Sequence, residues 1–182
     1  MTQTDQLRNL VLAPYIIKAT ALIETHRNVG GNQFRHALAT MAILIDYRFL
    51  DNGVLLKAAV IHDLLEDVPD TDERELRQID ADADQVVDLV LEVTQPPGMS
   101  KVEYLKRILN HGSRNAKILK VADRISNLTD LHHDQYSKEK MHAYLDQTEK
   151  YVLPMAREVD ANMALELQDL IAVRRKIIAP KT

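Results

Sequence analysis

The sequence predicts an all-α protein, a single bundle of about eight or nine helices. Three observations carry this. Only five glycines and eight aromatics occur in 182 residues, while Leu, Ala, Glu, Lys and Asp are used heavily, a composition that favours helices over sheets. Apolar residues recur at helical spacing rather than in alternation. The breaks between periodic segments are short clusters of Gly, Pro, Asn and Asp, with no long linker, repeat or low-complexity tract. A chain of 182 residues is long enough for one domain with a substantial core, here read as 1–182.

The elements follow in order. Residues 5–26 carry Leu7, Leu10, Val11, Tyr15, Ile16, Ala19, Leu22 and Ile23 at helical period, with a kink or break expected at Pro14. Asn28 to Asn32 is a loop, and Asn32 can cap a helix over 33–49. After the turn Asp51-Asn52-Gly53, the segment 54–68 is hydrophobic on most sides, which predicts a buried central helix, and Pro69 stops it. Asp72 and Glu75 have capping-box spacing for a short acidic helix, and another helix covers 83–94. Beyond Gln95-Pro96-Pro97-Gly98, Ser100 and Glu103 form a second capping box that opens a helix to Asn110. Residues 115–131 form the next helix, although the short apolar run 116–121 has the length of a strand as well. The stretch 137–178 gives two helices divided near Pro154.

Composition narrows the function classes. The formal charge is −4, from 23 basic and 27 acidic residues, so the basic surplus of a non-specific nucleic-acid binder is missing. There is no cysteine, which excludes disulfides, thiolate nucleophiles and sulfur-ligated zinc, so any metal must be held through nitrogen and oxygen. No apolar stretch approaches ~20 residues, and the N-terminus lacks the pattern of a signal peptide. The expectation is a cytoplasmic protein without nucleic-acid or membrane partners. The sequence does not specify its oligomeric state.

The chemistry concentrates at the end of the buried segment, which reads His62-Asp63-Leu64-Leu65-Glu66-Asp67. Glu66 lies four after His62 and Asp67 four after Asp63, so a continuous helix would align the four side chains in one stripe. Three carboxylates and an imidazole at the end of a buried helix are costly unless something compensates. A divalent cation would do so, and so would a solvated helix end with Lys57 or nearby arginines as partners. His36 lies in the second helix ahead of an apolar run. Asp123 and Asn127 share a face at i,i+4, with Lys120 and Arg124 available as ion partners. His132-His133-Asp134 has the look of a second ligand cluster, but a polar helix end is the simpler reading. Lys101, Lys106 and Arg107 read as a solvated basic face.

The order His36, His62-Asp63, Asp123 resembles the ligand set of the HD-domain metal-dependent phosphohydrolases. HDLLED followed about 60 residues later by KVADRISNL, with VVDLVLEVT between, is similar to one branch of them. That branch is the hydrolase domain of the RelA/SpoT family and the small alarmone hydrolases related to it. The similarity covers about residues 35–131, within core motifs at 33–131, with C-terminal helices at 137–178.

The resemblance implies a helical enzyme that binds one divalent metal, most often Mn2+, with Fe2+ or Zn2+ as alternatives. It implies hydrolysis of the 3′-pyrophosphate of guanosine tetra- or pentaphosphate to GDP or GTP and pyrophosphate. Carried over, His36, His62, Asp63 and Asp123 are metal ligands, and Glu66 and Asp67 orient or deprotonate the attacking water. Asn127, Arg124 and Arg35 contact the nucleotide. The stretch 26–36 is shorter than the family's, lacks its Pro-Tyr, and has Ala37 where proline is usual; Arg27 and Arg35 keep its positive charge. Two other readings share these residues: a phosphohydrolase of another nucleotide or phosphomonoester, and a non-catalytic nucleotide-binding HD domain. The complete ligand set with Glu66 and Asp67 argues against the last.

Overall fold

In the computed structural model, which describes residues 3–178, the ends of the expected 1–182 domain lie outside the described residues. Ten helices of seven residues or more are present: α1 (Gln3–Asn9), α2 (Ala13–Ala19), α3 (Gln33–Asp46), α4 (Gly53–Ile61), α7 (Ala83–Val93), α8 (Lys101–His111), α9 (Arg114–Asp130), α10 (Lys138–Gln147), α11 (Leu153–Val159) and α12 (Ala161–Ile178). Two single-turn helices, α5 (Leu64–Asp67) and α6 (Glu73–Leu76), complete the set. The described residues contain no strand; one isolated antiparallel bridge joins His26 to Asn32.

Expected caps are present where the sequence placed them. Asn32 Oδ1 accepts from Arg35 N, and Ser100 and Glu103 form a reciprocal capping box. Asp72 caps Arg74 N, but Glu75 turns away to pair with Lys18 at 2.5 Å, so that box is not closed. The run 116–121 is helical, because α9 is buried continuously from Ala116 to Ser126 and packs against α3, α7, α11 and α12. Pro14 falls in the first turn of α2, where its missing N–H costs nothing, and the expected 5–26 helix splits there.

Two boundaries differ from expectation. The break expected near Pro154 in 137–178 falls at Asp160 instead. The chain runs from α10 through a π-helical turn (Thr148–Val152) directly into α11, with Pro154 again in a first turn. Asp160 is extended, and its Oδ1 caps Asn162 N and Met163 N. More consequential, the expected 54–68 helix is interrupted at His62 and Asp63. His62 Nδ1 stands 2.9 Å from the Ala59 carbonyl, a side-chain bond that competes with the helical ladder.

One core runs through the bundle from α2 to α12, with α4 and α9 its most buried helices. Every α4 residue from Leu55 to Ile61 is buried, including Lys57. Lys57 Nζ pairs with Asp80 at 2.8 Å and Asp82 at 2.6 Å, and Tyr15 Oη donates to Asp80 at 2.8 Å. This network lets a lysine occupy an otherwise apolar helix.

Candidate functional site

Three elements converge: the first turn of α3, the α4–α5 junction and the middle of α9. Each carries a polar residue into the core, His36, His62-Asp63 and Asp123 respectively. His36 Nε2 lies 3.1 Å from Asp123 Oδ1 and 3.6 Å from Asp63 Oδ2. His62 Nε2 lies 3.2 Å from Asp63 Oδ2 and 3.9 Å from Asp123 Oδ1. Ligand atoms of His36, His62 and Asp123 all fall within 4.8 Å of one another.

The far side of each group is fixed. His36 Nδ1 is 2.9 Å from Ser126 Oγ. Asp123 Oδ2 accepts from Lys120 Nζ at 2.6 Å, and Oδ1 accepts from Asn127 Nδ2 at 2.5 Å. The ion pair with Lys120 that spacing allowed therefore exists, yet it uses only one carboxylate oxygen.

Electrostatics test whether a cation fits. Burial pushes the His62 imidazole down, but the charges of Asp63 and Asp123 outweigh it and lift the pKa to about 9. Burial pushes the Asp123 carboxyl up, but Lys120, His36 and His62 hold it well below the usual range. Asp63 is likewise held low against burial, chiefly by His62. Two carboxylates here thus demand positive charge. With Nδ1–H donating to Ala59, Nε2 is the His62 nitrogen that faces the carboxylates, and that buried atom has no hydrogen-bond partner of good geometry. The carboxylates hold a proton on Nε2 at neutral pH, and a divalent ion bound there would displace that proton and take the freed lone pair. Two imidazole nitrogens and two carboxylate oxygens suit a divalent ion of intermediate softness.

Beside the cluster is a cavity of about 330 Å³, of nucleoside size, bordered by His26, Arg27, Gln33, Asp67, Asn127, Leu131, Tyr136, Lys140, Met141 and Tyr144. Arg27 reaches it because Gly30 and Gly31, at φ +92° and +75°, fold the loop back. Arg27 N and Gly31 O pair at 3.1 Å, and the guanidinium donates to Asn127 Oδ1 at 2.6 Å. Asp67 accepts from Gln33 Nε2 at 2.8 Å. Burial and then the charge of Asp63 raise the Asp67 carboxyl above its ordinary value.

The residues singled out in the sequence are only partly brought together. His36, His62, Asp63 and Asp123 meet, and Asp67 and Asn127 border the adjoining cavity. Glu66 is exposed and accepts from Gln95 N at 3.2 Å, since the junction at 62–63 breaks the expected stripe. Arg35 is exposed beside Gly31 and does not border the cavity. Arg124 does not border it either. One step along α9 from Asp123 turns its side chain about 100° away, to a position only 1% exposed between α9 and α10. His132 and His133 stack with ring centres 3.8 Å apart at the end of α9 and join no metal-holding group among the described residues. Arg27 carried a sequence signal as a retained positive charge, whereas Tyr136, Lys140 and Tyr144 had none, because they are brought in by the packing of α10.

No known protein-family model matches the chain. Among curated proteins, it is 32% identical over 124 residues to the human guanosine-3′,5′-bis(diphosphate) 3′-pyrophosphohydrolase MESH1, covering 64% of this chain and 67% of that protein. The Drosophila melanogaster protein of the same name is 29% identical over 146 residues, covering 76% of this chain and 79% of its own. The mouse protein is 35% identical over 106 residues, a match spanning 57% of its length. A solved structure described as a metazoan ortholog of SpoT that hydrolyses ppGpp superposes with a TM-score of 0.78, covering 90% of this chain and 94% of that one at 24% identity, which establishes the shared fold. The chain belongs to the MESH1 family of HD-domain alarmone hydrolases.

Proposed function

We propose that the protein removes the 3′-pyrophosphate of guanosine tetra- or pentaphosphate in a metal-dependent hydrolysis, giving GDP or GTP and pyrophosphate. One observation carries this reading: His36, His62 and Asp123 converge beside a nucleoside-sized cavity that holds Arg27 and Asp67, in a chain of the MESH1 family. His36, His62, Asp63 and Asp123 would hold one divalent ion, Mn2+ before Fe2+ or Zn2+. Such an ion, when bound, lowers the pKa of a coordinated water and polarises a phosphate oxygen.

The other roles fall to the chain's own groups. Asp67 accepts the proton of the attacking water, a task suited to a carboxyl whose pKa burial has raised. Glu66, held by Gln95 N, helps orient the water. Arg27 and Lys140 neutralise the nucleotide's phosphates, and Asn127 ties Arg27 to Asp123. The water oxygen bonds to the 3′-phosphorus as the bond from that phosphorus to the ribose 3′-oxygen breaks; the ribose oxygen takes a proton, in balance the one given up by the water to Asp67, and pyrophosphate leaves. The ligands and both acids lie within 33–131, so one domain suffices for the reaction.

The test is product analysis after incubating Mn2+-loaded protein with guanosine tetraphosphate. Release of GDP and pyrophosphate, abolished by chelator, is expected. Metal-loaded protein that leaves the tetraphosphate intact would reject this substrate and favour another nucleotide or phosphomonoester, the reading that the shortened 26–36 stretch supports.

A further inference from the structure

Arg124 is a buried cation without an ion-pair partner among the described residues. Its guanidinium is 1% exposed, and Nε has no hydrogen-bond partner. A buried guanidinium is costly, and an unbranched apolar side chain would fill the same space. Its contacts show what it holds. Nη1 donates to Thr148 Oγ1 at 2.6 Å, and the guanidinium carbon lies 4.0 Å from the centre of the Tyr144 ring. Thr148 Oγ1 in turn donates to the Tyr144 carbonyl at 2.7 Å. Thr148 begins the π-helical turn, an uncommon geometry that displaces one residue in a helix. Tyr144 also borders the cavity.

We infer that Arg124, with Thr148, is a positioning residue that fixes the Tyr144 ring as the stacking surface for the guanine base. The cation covers one face of the ring and the hydroxyl anchors its backbone, so the ring offers the cavity a single rigid orientation. An aromatic platform held in advance binds a base without the cost of ordering it. Because Arg124 follows Asp123 directly on α9, the element that carries the cluster also sets the platform, which fixes the distance from base to reacting phosphate. The inference rests on the guanine-nucleotide reading of the cavity.

The experiment measures GDP affinity of Mn2+-loaded protein by calorimetry, with metal stoichiometry and Tm recorded for each variant. Arg124→Met is expected to weaken GDP binding by about tenfold, the size of a desolvated cation–π contact. The KM for the tetraphosphate should rise by a similar factor with kcat little changed. Metal content should be retained and Tm not lowered, since an unpaired buried charge is removed. Thr148→Val should act in the same direction, and it supplies the test if Arg124→Met does not fold. In a Tyr144→Ala background neither change should weaken GDP binding further. Wild-type binding with unchanged affinity in Arg124→Met and Thr148→Val would overturn the inference alone. So would weakening that persists without Tyr144, or that always accompanies lost metal or a lowered Tm. A wild-type protein that binds no GDP would overturn the guanine reading and this inference with it.

Discussion

His62 commits Nδ1 to Ala59 and turns Nε2 toward Asp63 and Asp123, while His36 has Ser126 behind it. Such outer partners fix tautomer and ring orientation. Ser126→Ala should therefore weaken metal binding by about 10- to 100-fold. A competition titration giving wild-type affinity would reject the role of Ser126. The two acids also separate at this scale. Asp67 borders the cavity with a raised pKa, whereas Glu66 is exposed. Asp67→Asn should keep metal and lower kcat by roughly 10²- to 10⁴-fold. Glu66→Gln should also keep metal and lose turnover, but by less. Stopped-time assays showing the reverse order would exchange the two roles.

Among the elements, α4 shows how burial and charge are reconciled. Lys57 is buried and paired with Asp80 and Asp82, which are more exposed than it is. Lys57→Ala should destabilise by about 2–3 kcal/mol, between the ~1 kcal/mol of exposed pairs and the ~3–5 kcal/mol of buried ones. Urea unfolding within ~0.5 kcal/mol of wild type would contradict this, since that is the range of neutral surface changes. Burial pushes the Asp80 carboxyl up, but Lys57 and Tyr15 outweigh it and hold it below 3.8. The folded-state value lies under the unfolded one, so this contribution is present at neutral pH. It fades as pH falls below 3.8 and through the folded-state value. Asp80→Asn should flatten the acid limb of the stability curve, and a limb of unchanged slope would exclude Asp80 as its source.

In the molecule as a whole, the cluster ties α3, the α4–α5 junction and α9 together, so a bound ion would act as a cross-link across the core. Ligand at 100 times its Kd stabilises by about 2.7 kcal/mol. For a chain of this size that corresponds to a rise in Tm of roughly 5–10 °C. Chelation should reverse it, and calorimetry showing one Tm with and without chelator would argue against an ion in the folded state. No helix among the described residues is long and apolar enough to cross a membrane.

The sequence by itself determined the helical class and the caps at Asn32 and Ser100, and its motifs, through their resemblance to the HD-domain hydrolases, singled out His36, His62, Asp63 and Asp123, which the fold brings together. The class and caps are legible because periodicity and capping are local, and the four residues because they stand in motifs that resemble a known ligand set. The tertiary structure decided the rest. It broke the helix at His62, where a side chain took a backbone carbonyl, and so took Glu66 out of the stripe expected with His62. It turned Arg124 from the cavity and brought Arg27, Lys140 and Tyr144 to it. Those placements depend on which helices pack together and at what rotation, and no spacing along the chain encodes a contact between residues 100 apart such as Arg27 and Asn127.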